Sequence, residues 1–156
     1  MIILFISVIV FNLIAFYTNK RMSANQILHI WVFTIAFQLI FDTFIDLKYE
    51  GYWYFTKGID WIGFPAYTIL IPPVNMIYIN WFPYRSSLVK KIIYIIIWEI
   101  MLLIYETISR LPEPWGYFHY GWWLLWYSLI INPFLLCSLL LYYKWILKLE
   151  RRACER

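Results

Sequence analysis

Long apolar runs dominate this chain. Stretches of sixteen to twenty-four residues with few charges recur at about residues 2–17, 26–47, 61–82, 92–109 and 120–143. A bilayer core about 30 Å thick needs roughly 20 apolar residues per crossing helix. The pattern therefore predicts an all-α integral membrane bundle of five transmembrane helices, built as one domain over residues 1–156. Composition agrees: 63 % of residues are hydrophobic and 14 % charged, against about 45–50 % and 25 % in soluble domains. The first run has no positive residue ahead of it and has Lys20 and Arg21 behind it. That order is the reverse of a cleaved secretory signal, so the run is read as a helix.

The positive charges give an orientation. Lys20 and Arg21 lie in the first connection, Arg85, Lys90 and Lys91 in the third, and Lys144, Lys148, Arg151, Arg152 and Arg156 in the tail (residues 144–156). These ten face only three in the alternate connections, Lys48, Lys57 and Arg110. Excess Lys and Arg mark the cytoplasmic side, which puts the N-terminus outside and the C-terminal tail in the cytoplasm, against anionic lipid. The net charge of +4 is thus a topological signal, and no nucleic-acid partner is expected. The expected partners are the lipid bilayer and either another membrane protein or a second copy of the chain.

Two spans carry helix breakers. The third contains Pro65, Pro72 and Pro73, and the last two free the carbonyls of Thr68 and Ile69, four residues back. Thr68, Asn75 or a neighbouring helix must satisfy them. A kinked span keeps the charge alternation; a re-entrant hairpin would break it. The fifth span has a similar break at Asn132-Pro133. At the start of the second span, Ser23 or Asn25 offers an oxygen to cap the free N–H groups.

The most informative residues are acids inside apolar runs. Ionisable groups there cost roughly 2.5–3.5 kcal/mol each on insertion scales and face a bundle interior. Gln38, Asp42 and Asp46 are spaced i, i+4 and i+8, on one face of the second helix. Glu99 and Glu106 share a face of the fourth. At 1.5 Å per residue, Asp42 and Glu106 lie ~24 and ~21 Å from the inner ends of their helices, in the outer half. Asp46 and Asp60 fall at the outer edge, where an interfacial position is the simplest reading. Asn75 and Asn132 add uncharged polar groups, and His119 and Arg110 sit in the adjacent loop. These residues predict an outer vestibule lined by Asp42, Asp46, Asp60, Glu99 and Glu106, suited to a cation, a proton or a small amphiphile. The bland alternative is that the acids hold helices together. The run Trp115–Trp123 reads as an interfacial aromatic belt, or as a roof over an apolar groove. His29 reads as a helix-end residue, Cys137 as helix packing and Cys154 as a free thiol.

No glycine-rich phosphate loop, GxSxG or HExxH motif is present. Cysteine and histidine show no metal-ligand spacing, so no metal and no cofactor are expected. The sequence favours a non-enzymatic membrane protein, transporter-like or a subunit of a complex. The alternatives are a membrane enzyme acting on a lipid or isoprenoid with a buried carboxylate as general acid, and a structural or assembly partner.

Several short motifs combine across most of the chain: Phe41-Asp42 with Asp46, Asp60 with Phe64-Pro65, Pro72 leading to Trp81, Glu99 with Tyr105-Glu106, and Gly121-Trp122-Trp123 with Ser128. In these the chain resembles a family of small conserved-hypothetical integral membrane proteins of endospore-forming Gram-positive bacteria. The resemblance implies a multi-pass protein of a bacterial cell or spore membrane and implies no activity. A weaker likeness is to small carotenoid-cyclase membrane domains, which also use intramembrane acids.

Overall fold

The computed structural model describes residues 1–155 and is built mainly of five helices. They are α1 (Ile2–Thr18), α2 (Ala24–Asp42), α3 (Ile71–Trp81), α4 (Leu88–Ser109) and α5 (Leu125–Cys154). Two π-helical turns adjoin them: Thr43–Lys48 extends α2, and Ala66–Leu70 leads into α3. Two short strands, β1 (Tyr52–Trp53) and β2 (His119–Tyr120), pair antiparallel, with Tyr52 opposite Tyr120 and Trp53 opposite His119. This ribbon joins the α2–α3 and α4–α5 connections at one end of the bundle, a departure from the purely helical expectation.

The helix α3 is the centre. Met76, Tyr78 and Ile79 are fully buried, and it packs against α1, α2 and α5. Its most hindered sequence is also its most protected. Pro72 and Pro73 begin its α-helical part, directly after the π turn. The preceding π turn makes this one helical run from Phe64 to Trp81 rather than a hairpin. Proline still leaves the Ile69 carbonyl without its intrahelical donor. The α1 helix supplies one: the Asn12 amide donates to the Ile69 carbonyl at 3.0 Å and to the Val8 carbonyl at 2.7 Å. A second asparagine fixes the other end of this pair. Asn80 of α3 donates to the Thr18 carbonyl at 2.6 Å and accepts from the Lys20 amide at 3.3 Å, which closes the C-terminus of α1.

Other boundaries move for local reasons. Ser23 accepts from the Gln26 amide while Gln26 accepts from the Ser23 amide. This capping box starts α2 two residues before the expected Gln26. Helix α4 begins four residues early, so Lys90 and Lys91 lie in its first turn. The third helical run starts at Phe64 rather than Trp61, because Asp60 organises a loop there. Pro133 does not interrupt α5, which runs through the expected tail to Cys154; Arg156 lies outside the described residues. Gln26 of α2 donates to Glu150 at 2.5 Å and Asn25 donates to it at 2.9 Å, so the basic segment is a docked helix. Cys137, read as packing, is exposed on α5, as is Cys154.

The outside of the bundle is apolar. Ile92, Ile93, Ile96, Ile97, Ile100 and Ile104 of α4 are each about half exposed, 48–54 %. Leu13, Ile40, Phe134 and Leu141 show the same on α1, α2 and α5, at 63–69 %. Two helical runs, Ala24–Lys48 and Leu125–Cys154, are long and apolar enough to cross a membrane.

Replacing Asn12 with leucine keeps the side chain's size and removes the donor to Ile69. The bond is an exposed one, worth about 0.5–1.5 kcal/mol net, so Asn12→Leu should lower the thermal midpoint of the purified protein modestly, whereas Asn12→Gln, which can still donate, should lower it less.

Candidate functional site

A half-open cavity of about 300 Å³ lies between the helices below the ribbon. Phe33, Phe37 and Phe41 of α2, Trp98 and Leu102 of α4, and Leu135 of α5 are among its apolar walls. The connections roof it. Tyr52 and Tyr54 come from one, and Tyr117, Phe118 and Trp123 from the other. Tyr52, Tyr54, Tyr117 and Trp123 are 4–9 % exposed. Their rings pack edge-on and stacked, with Tyr52 against Trp123 at 5.5 Å and Tyr54 parallel to Tyr117 at 6.4 Å. The run Trp115–Trp123 is thus divided: Tyr117, Phe118 and Trp123 form the roof, while Trp115 and Trp122 are exposed. Gly121 holds the two connections together, since its amide donates to the Gly51 carbonyl at 2.8 Å and a Cβ there would sit 2.1 Å from the Glu50 carbonyl oxygen.

The acids border this chamber from two walls instead of meeting. On the α2 wall, Asp42 is 6 % exposed. It accepts from Gln38 at 2.9 Å, one helical turn back, and from the Tyr52 hydroxyl at 2.5 Å; Tyr54 approaches its other oxygen at 3.5 Å. Burial in the roof pushes both phenols well above the usual tyrosine range, so they stay protonated and act as donors. Gln38, Tyr52 and Tyr54 line the chamber, with Asp42 behind them. Asp46, expected at an interface, is instead buried, at 8 % exposure, because the π turn Thr43–Lys48 carries it inward.

On the opposite wall, Glu106 of α4 is half-buried and reaches the chamber itself. Its Oε1 accepts from Ser128 at 2.7 Å and from the Tyr120 hydroxyl. Ser128 in turn accepts from the Trp123 indole at 3.0 Å. Arg110 lies 3.8 Å above the Tyr120 ring, a cation–π contact at the rim. Deeper, Glu99 accepts from Asn132 at 3.4 Å while its Oε2 is buried without a partner. Asn75 donates to Thr34 at 2.9 Å on the chamber wall.

Two expected site residues lie elsewhere. Asp60 accepts from the Thr56 and Ile62 amides, both at 2.9 Å, and so shapes its own loop. His119 stacks on Trp53 at 6.1 Å on the ribbon. Among the described residues no group of three His, Cys, Asp or Glu side chains is placed to hold a metal ion. Of the five acids only Glu106 lines the chamber, which is chiefly aromatic; Asp42 stands behind its Gln38, Tyr52 and Tyr54 wall. Sequence reasoning missed Tyr52, Tyr54 and Tyr120 as partners of Asp42 and Glu106. Their density in the two connections was visible, but their pairing with the acids depends on the ribbon register.

No family model, curated protein or solved structure matches this chain.

The Glu106 cluster separates structure from chemistry. Ser128→Ala strands the Trp123 indole and should cost about 1–3 kcal/mol, seen as a lower melting midpoint. Glu106→Gln keeps an acceptor oxygen for both Ser128 and Tyr120 and should melt close to the unmodified protein.

Proposed function

We propose that this is a five-span membrane protein of a bacterial cell or spore envelope, whose helices line a binding chamber for a small amphiphile. The ribbon end faces outward in this reading, and the basic end, with Lys20, Arg21, Arg85, Lys90 and Lys91, faces the cytoplasm. The apolar exterior supports membrane embedding: a belt of exposed isoleucines around α4 is a large unpartnered apolar surface in water and an ordinary one in lipid. At 22 residues, α4 is about 33 Å long, enough for a crossing. The shortest helix, α3, gains the needed length from the helical run that begins at Phe64.

The observation that carries the ligand class is the chamber. Ligand pockets run from about 300 to 1,000 Å³, mainly apolar with a few convergent polar groups. Here the volume lies at the small end, the walls are aromatic and aliphatic, and the polar groups collect under the roof at Glu106, Ser128 and Gln38. Such a chamber suits a molecule with an apolar body and one polar head, a hydroxyl or amine, hydrogen-bonded to Glu106. A cation alone fits less well, because the acids stand on separate walls and Asp42 already accepts from Gln38 and Tyr52. A membrane enzyme on a lipid or isoprenoid is the second reading. It is favoured by one feature, the Glu106 carboxyl group in the chamber, oriented through Oε1 by Ser128 and Tyr120 for proton transfer, as a general acid only when protonated.

Mass spectrometry of organic extracts from the purified protein tests the proposal. A stoichiometric small amphiphile should co-purify, Glu106→Gln should retain it about tenfold less well, and Leu135→Trp, which fills the chamber, should exclude it. An empty chamber in all three proteins would sink the binding reading. Recovery of a chemically altered ligand from the unmodified protein, but not from Glu106→Gln, would select the enzyme. Orientation is checked separately in a Cys137→Ser, Cys154→Ser background. A cysteine at Lys57 should react with an impermeant maleimide on intact cells, and one at Lys90 should not.

A further inference from the structure

The opposite end of the bundle holds a second cavity, of about 480 Å³, between the α1–α2 turn, the α3–α4 connection and α5. Arg21, Pro83, Tyr84, Arg85, Ser86, Tyr143 and Leu147 line it. The lining contains two guanidinium groups, three hydroxyls and no carboxylate. Among the described residues neither arginine is in an ion pair; the one salt bridge there joins Lys57 to Glu50. The acid closest along α5, Glu150, is already held by Asn25 and Gln26.

The arginines are placed rather than loose. Arg21 donates to the Phe82 carbonyl at 3.3 Å, and its guanidinium lies 5.2 Å from the Tyr84 ring centre. These contacts fix the fork and leave most of its five donors free. Arg85 is exposed at the rim. The Tyr84 hydroxyl is buried without a partner, and the Tyr84 ring forms part of the cleft wall. Ser86 leads into Ser87, the N-cap of α4, whose side chain makes no capping bond, so the positive end of a 22-residue helix dipole adds to the field.

The geometry points to a phosphate-binding site formed by Arg21, Arg85 and Ser86. Arginine forks match phosphate oxygens bidentately, and the tyrosine and leucine walls accept the carbon attached to an ester. Two sources carry this chemistry: the headgroup of an anionic phospholipid and free phosphate. The lipid source rests on the membrane reading above; the anion site does not.

Native mass spectrometry of the full-length protein released from nanodiscs of mixed phosphatidylglycerol and phosphatidylcholine distinguishes them. Phosphatidylglycerol should remain bound in preference to phosphatidylcholine. Arg21→Gln and Arg85→Gln should each retain about tenfold less, the loss of a charge-assisted hydrogen bond. Arg85→Gln keeps the test sound if Arg21→Gln misfolds, because its side chain is exposed. The triple change Lys148→Gln, Arg151→Gln, Arg152→Gln on α5 should leave retention unchanged. Phosphorus NMR in phospholipid-free detergent supplies the other arm. Broadening of the inorganic phosphate signal by the unmodified protein but not by Arg85→Gln, without lipid retention, would assign the site to free phosphate. Equal behaviour of the unmodified protein and Arg85→Gln in both measurements, or loss of lipid in the triple variant alone, overturns the site.

Discussion

The fold depends on a hydrogen bond between two helices. A double proline leaves backbone carbonyls without their helical donors, and backbone polar groups packed between helices then need other partners. Asn12 on α1 answers the Ile69 carbonyl, and Asn80 on α3 answers the end of α1. These two contacts set the height at which α1 and α3 lie side by side. Helices α2 and α5 then pack on the α3 surface, and α4 packs on α5, with the Tyr94 hydroxyl donating to the Tyr78 carbonyl at 2.8 Å. In hydrophobic surroundings apolar packing alone discriminates poorly between neighbouring registers. A polar pair with one satisfying arrangement discriminates well.

That constraint explains what the chain disclosed of its fold and what it withheld. Helix positions follow from apolar runs and caps, which are local, so α1 and the capping box of α2 were legible. The prolines announced that carbonyls would need donors, but nothing local said that Asn12, some sixty residues away, would supply one. The end of α5 was misjudged because Lys144 to Arg152 look like a solvated tail. In place, Glu150 among them docks on Asn25 and Gln26, and a helix whose polar residues have partners continues.

The site divides in the same way. The i, i+4 spacing of Gln38 and Asp42 correctly gave one face, and the two are hydrogen-bonded. Asp46, one turn further on, is buried as Asp42 is, so the shared face held and the interfacial reading of it failed. Convergence of all the acids did not follow either. Helix faces can be read from one sequence; which faces oppose each other across a cavity is a property of packing. Asp60, read at the outer edge of the third span, shapes its own loop through Thr56 and Ile62, and His119, read in a loop, lies in β2 and stacks on Trp53 across the ribbon.

The ribbon also has a consequence for biosynthesis. Tyr52 pairs with Tyr120, so β1 emerges from the ribosome long before the strand that completes it. Two helices, α3 and α4, must be made while the first half of the roof has no partner. Domains assembled from distant segments pay loop closure before contacts reward it, and the chamber therefore acquires its cover only near the end of synthesis. Until then Asp42 lacks the β1–β2 clamp that holds Tyr52 above it, and the nascent chamber is an open groove.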